Sequence, residues 1–97
     1  MPAAYLIVES QVTDPEQFKA YLALAPEAVK AFGGEYLARG GRMHVLEGDW
    51  QPPRMTVLRF PDFESAKALY DSPAYVKARA ARDGATAMFN MVIVEGV

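Results

Sequence analysis

The first and last apolar segments of the chain are greasy on both faces, and this restricts the fold more than any other feature. In "AAYLIVESQV" (3–12), Leu6 and Val8 alternate with Tyr5 and Ile7. In "TAMFNMVIVEG" (86–96), Met88, Val92 and Val94 alternate with Phe89, Met91 and Ile93. Successive strand residues point to opposite faces, and a solvated antiparallel sheet shows one polar face. Here both faces need cover. Helices of the same chain can supply one layer, and a second copy is expected to supply the other. The expectation is a homodimer, burying on the order of 1,600 Å² or more in total.

Helix signals fill the space between these strands. In "TDPEQF", Thr13 or Asp14 can cap a helix, Pro15 sits where an amide hydrogen would be orphaned, and Glu16 completes a capping-box pattern with Thr13. Phe18, Tyr21, Leu22, Ala25, Val29 and Phe32 then recur at three- and four-residue steps on one face. Pro26 is expected to kink or split this helix, and Gly33-Gly34 to end it. A second strand is read over 35–47, with Gly40-Gly41 as a bulge or close backbone approach in its middle. "GDWQPP" (48–53) is a loop, and "RMTVLRF" (54–60) a third strand stopped by Pro61. Asp62 caps a second helix carrying Phe63, Ala66, Leu69 and Tyr70. Ser72-Pro73 restarts it as a further helical turn, and residues 86–96 form the fourth strand. The order is β-α-β-β-α-β with the second helix broken. That is an α+β, ferredoxin-like arrangement: a four-stranded antiparallel sheet with the helices on one face.

Size and composition bound the function. Ninety-seven residues suffice for one compact domain, 1–97, and are too few for two. A hydrophobic fraction of 52% excludes intrinsic disorder. The net charge is −2 with dispersed Lys and Arg, so no footprint for nucleic acid or an anionic membrane is visible. No apolar run is long enough to span a membrane, and the N-terminus lacks the pattern of a signal peptide. The absence of cysteine removes disulfides, thiol nucleophiles and thiolate metal sites, and fits a cytoplasmic protein. A single histidine and scattered carboxylates make no metal constellation. No glycine-rich nucleotide cradle or G-x-S-x-G elbow occurs, so no cofactor is expected. "ARGGR" occurs once, inside a predicted strand of an acidic chain, and does not amount to an RNA-binding tail.

Polar residues gather in "LARGGRMHVLEGDW" (37–50), which holds the only histidine and the only tryptophan. Arg39 precedes the glycines and offers a planar fork suited to a carboxylate or enolate-like pair of oxygens. Arg42, His44 and Leu46 are expected on one strand face, with Met43, Val45 and Glu47 on the other. Trp50 and Arg54 flank the following loop, and Tyr21, Tyr70 and Tyr75 lie on the helices. The structural alternatives are an ion pair of Arg39 with Glu9, Glu47 or Glu95 and a surface or interface His44. Trp50 also reads as a packing lid, and Lys77, Arg79 and Arg82 as a solvated helix end from which Arg82 turns back toward the sheet.

Taken together, "AYLIVES", "VTDPEQFKAYLALAP", "FGGEYLARGG", "VLEGDW", "PRMTVLRFP", "ALYDSPAYVKARAAR" and the closing "IVEG" resemble the DUF1330 family over nearly the whole chain. Arg39, Gly40, Gly41, Glu47, Gly48, Trp50, Arg54, Tyr70, Ser72, Tyr75, Arg82 and Glu95 match its recurrent polar pattern. Ala74 and Val76 depart from it, standing where the family commonly has Glu and Gln. The resemblance implies a ferredoxin-like subunit of the dimeric α/β-barrel superfamily. Its relatives include cofactor-free monooxygenases, muconolactone isomerase-like proteins and stress-related proteins. It implies no established reaction.

Two functional readings follow. In the first, a small, anionic or enolisable organic molecule enters a polar-mouthed cleft and is bound or turned over without a cofactor by an isomerase- or monooxygenase-like activity. Arg39, Arg54, Trp50, Tyr75 and Arg82 would bind it, and His44, Tyr21 or Tyr70 would transfer a proton. In the second, the protein is a non-catalytic ligand-binding or stress-response module, and the polar residues serve the architecture of the dimer.

Overall fold

The computed structural model describes residues 2–97. Strand β1 (Ala4–Val12) is central, flanked by β3 (Arg54–Phe60) and β4 (Thr86–Glu95), and β2 (Glu35–Arg39) pairs with the far side of β3. The sheet order is β2-β3-β1-β4 and every pairing is antiparallel. Helices α1 (Pro15–Ala31), α2 (Phe63–Asp71) and α3 (Pro73–Ala81) complete the fold. The element order and the break at Ser72-Pro73 are those read from the sequence.

Local chemistry sets the helix ends. Asp14, rather than Thr13, caps α1 by accepting from the Gln17 backbone amide at 3.1 Å, while Glu16 pairs with Lys19 instead of closing a capping box. At the other end Gly33 takes φ +77°. Its amide donates to Lys30 and that of Gly34 to Val29, the five-to-two and six-to-one bonds of a Schellman stop. Pro26, expected to kink or split the helix, lies inside an unbroken α1, with buried Tyr21 and Ala25 before it and Ala28 and Val29 after it. Ser72 serves two helices at once. Its hydroxyl donates to the Leu69 carbonyl of α2 at 2.7 Å and accepts from the Tyr75 amide of α3 at 3.2 Å.

The larger correction concerns the second strand. It ends at Arg39, and residues 40–53 form no regular element. Strand β3 begins only at Arg54 and is already paired with β2 as far as Arg39, so the alternating "RMHVLE" has no neighbour to bond to. The bulge lies elsewhere as well. Tyr36 pairs with Leu58 and Ala38 with Val57, which leaves Leu37 as the extra residue.

The core lies between the sheet and the helices, around Leu6, Val8, Phe18, Val29, Leu58, Phe60 and Leu69. Ala28 and Ala78 are fully buried and let α1 and α3 approach closely. The opposite sheet face carries Tyr5, Ile7 and Glu9 of β1 beside Val57 of β3 and Val92 and Val94 of β4. Val92 and Val94 are 58% and 48% exposed. Among the described residues, no helix is long and apolar enough to cross a membrane.

Candidate functional site

The helix-facing rows of the sheet change character along their length. In β1 the row runs Leu6, Val8, Ser10, and in β3 it runs Phe60, Leu58, Thr56, Arg54. Leu6 is opposite Leu58, Val8 opposite Thr56, and Ser10 opposite Arg54. The interior is thus apolar at one end and polar at the other. The bulge at Leu37 adds one more cation there. Were Leu37 paired in register opposite Val57, Arg39 would face Met55 and point to the outer side; because Leu37 bulges, Arg39 pairs with Thr56 and joins the inner row.

These rows and the helices enclose a small cleft of about 30 Å³, lined by Tyr21, Tyr75, Tyr36, Arg39, Arg54 and Thr56 among others. That is room for roughly two water molecules. The Arg39 guanidinium lies over the Tyr36 ring, 4.6 Å from its centroid. Gly40 has φ +66°, and a Cβ there would meet the Arg54 guanidinium at 2.8 Å, so only glycine leaves Arg54 its position. Among the described residues the ion pairs are Lys19–Glu16 and Arg59–Glu35. Arg39 therefore does not pair with Glu9, Glu47 or Glu95, and neither Arg39 nor Arg54 has a carboxylate partner.

Behind the mouth, the Tyr21 and Tyr75 hydroxyls are 2.6 Å apart. Tyr75 donates to Met91 Sδ at 3.5 Å, which makes Tyr21 the donor to Tyr75. Burial, reinforced by the neighbouring Tyr75, pushes the Tyr21 pKa far above the ordinary tyrosine value. Burial also raises Tyr36, with Arg39 opposing it. Tyr21 therefore keeps its proton beyond the pH at which an exposed tyrosine loses it. The lining holds no carboxylate and no imidazole, so the cleft offers cations and hydrogen-bond donors but no ordinary base.

Arg82 and Tyr70 lie in an adjoining groove of about 660 Å³ between α2 and β4, which shares Leu6, Leu69, Phe89 and Met91 with the cleft. Arg82 does turn back toward the sheet. Its guanidinium sits 3.6 Å from the Phe89 centroid and 5.2 Å from that of Tyr21, and its Nε is buried without a partner. Tyr70 is 42% exposed and is covered by Arg79 at 4.0 Å.

Two candidates stand apart from both. Trp50 donates to Glu9 at 3.0 Å, and Glu9, which also accepts from Asn90, belongs to the outer sheet face. Trp50 is therefore no wall of the cleft. His44 lies in the exposed 40–53 segment rather than on a strand. The sequence reading missed Ser10, Tyr36 and Thr56. Ser10 and Thr56 carried a signal: each is polar at a strand position in step with core residues. Among the described residues no group of three or more His, Asp or Glu is placed to hold a metal ion.

Solved structures with this fold include proteins of unknown function and a cofactor-independent oxygenase. A protein of unknown function from Rhodopseudomonas palustris superposes with a TM-score of 0.79 at 14% identity, covering 99% of this chain and 83% of that one. A dimeric ferredoxin-like protein of unknown function from Jannaschia sp. gives 0.74 at 14% identity over 97% and 99%. SnoaB, a cofactor-independent oxygenase from Streptomyces nogalater, gives 0.64 at 10% identity over 100% and 95%. A search of curated proteins found no match. The model of the domain of unknown function DUF1330 matches residues 3–97, and the chain belongs to that family.

Proposed function

We propose that the protein is a homodimer whose subunits each bind a small organic anion, such as a short-chain carboxylate, between the sheet and the helices. The observation that carries this reading is the convergence of Arg39 and Arg54, both without a carboxylate partner, on the mouth of a cleft with apolar depths. An arginine fork matches a carboxylate in geometry. The head of the ligand rests on the two guanidinium groups, with Tyr36 beneath Arg39, while a short tail displaces the water-sized space within. Ser10 and Thr56 add hydroxyls near the head. The homodimer is supported by the apolar outer face and by relatives of this fold described as dimeric.

A thermal-shift series tests the reading. Short carboxylates raise the melting temperature by several degrees at saturating concentration, whereas their amides and long-chain homologues do not. Arg54→Gln and Arg39→Gln each remove most of the shift. Equal stabilisation by acid and amide, or none by any short acid, overturns it.

A catalytic reading has one observation in its favour. Tyr21 is held protonated in the lining of the cleft, where its proton, turned away from Tyr75, can be offered to an enolate-like oxygen. The proton acceptor would then be the substrate or water, since no base lines the cleft. Loss of turnover in Tyr21→Phe with unchanged ligand affinity is the result that distinguishes catalysis from binding alone.

A further inference from the structure

The 40–53 segment is an unusual piece of chain. Fourteen residues without regular structure are uncommon between strands, and every residue from Gly40 to Gln51 is exposed. It nevertheless carries Met43, Val45 and Leu46, the last 92% exposed. Its two ends are fixed, by the Gly40 amide bonded to Met55 and by Arg54 at the start of β3. Each limb is then about seven residues, so the tip near Leu46 can stand up to roughly 23 Å from the sheet edge. Its direction is also fixed. Trp50 bonds to Glu9 and draws the returning limb toward the outer sheet face.

The single chain also carries more surface than a compact monomer of its mass. The chain exposes 6290 Å², whereas a compact monomer of this mass exposes about 5,500 Å². The excess, roughly 800 Å², is comparable with one partner's share of a standard interface, and the exposed 40–53 segment is part of it. The molecule measures 35 × 35 × 17 Å, a slab with one layer of helices and one of sheet. When two slabs join by their outer faces about a two-fold axis along the strands, the β2 edge of one lies over the β4 edge of the other. The groove between α2 and β4 opens at that edge, with Val92 on its rim and Phe63, Leu69 and Ile93 inside. Lys67 and Arg82 stand in it as counterparts for Glu47 and Asp49 of the segment, and Asp71 as one for Arg42.

We infer that residues 40–53 form an arm that crosses to the second copy and covers its α2–β4 groove. Because this groove adjoins the cleft, the arm closes the second side of the partner's binding site, and each site is complete only in the pair. The inference rests on the homodimer of the proposed function.

Two measurements on the full chain test it together. Light scattering first gives the mass. Then Leu46→Cys and Lys67→Cys chains are co-expressed and treated with a short bis-maleimide linker; the natural chain has no cysteine, so every link is attributable. The expected product is a dimer in which mixed links between the two variants predominate. A dimer linked only between two Leu46→Cys chains, or not linked at all, overturns the arm and leaves the dimer standing. A mass of 10.7 kDa overturns both. As a second readout, Leu46→Asp raises the dimer dissociation constant roughly tenfold or more. An unchanged constant means that the groove takes some other occupant, such as a small molecule, and rejects the inference.

Discussion

Tyr21 and Tyr75 each have one proton and share a single short contact, so their substitutions are not equivalent. Tyr75→Phe leaves the buried Tyr21 hydroxyl without its acceptor and costs about 1–3 kcal/mol. Tyr21→Phe costs less, because Tyr75 keeps Met91 as its acceptor. In the double variant the losses do not add, and chemical denaturation of all four proteins measures the coupling. The raised Tyr21 pKa sets a pH dependence with a definite sign. Below about pH 10 the hydroxyl is protonated in the folded and unfolded chains alike, and its contribution is fully present. Above that value the unfolded chain ionises while the folded one does not, so stability falls with rising pH by about 1.4 kcal/mol per unit for this group. Tyr36, also raised, acts in the same direction. A Tyr21→Phe variant with the same alkaline slope would assign the effect elsewhere.

Among the elements, Ser72 and the Leu37 bulge have the most specific consequences. Ser72→Ala removes a cap shared by two helices and costs about 1–2 kcal/mol, seen as a melting temperature lower by several degrees. Deletion of Leu37 makes the pairing of β2 with β3 regular while Ala38 stays opposite Val57 and Arg39 opposite Thr56 on the inner row. Carboxylate binding is then expected to survive, in contrast to Arg39→Gln, and calorimetric titration of the two variants checks it. The caps at Asp14, Asp62 and Ser72 and the glycine stop after α1 were legible in the sequence because each depends on a few adjacent residues. The extent of β2 was not. "RMHVLE" alternates like a strand, but a strand needs a neighbour, and that neighbour's starting point is a property of the whole sheet. The placing of Trp50 failed for the same reason, since the path of its loop decides which face it reaches. Arg39 was identified by its composition-rich surroundings, but the bulge that aims it lies at Leu37, not at the glycines.

For the whole molecule, the thin slab makes association and stability one question. Val92→Glu places charge on the outer face and is expected to yield a species of 10.7 kDa by light scattering, where the natural chain is expected to give twice that mass. The melting temperature of the natural protein is expected to rise with protein concentration. A concentration-independent value together with a monomeric mass would show that the outer face is satisfied by solvent.

The contact between Trp50 and Glu9 gives the protein a built-in optical reporter. The lone indole sits on the side where copies would meet and away from the cleft, 61% exposed to water in the single chain. Its fluorescence should move to shorter wavelength as subunits pair on concentration, and stay constant as an anion is titrated in. One chromophore, with no label added, can thus follow assembly and ignore occupancy.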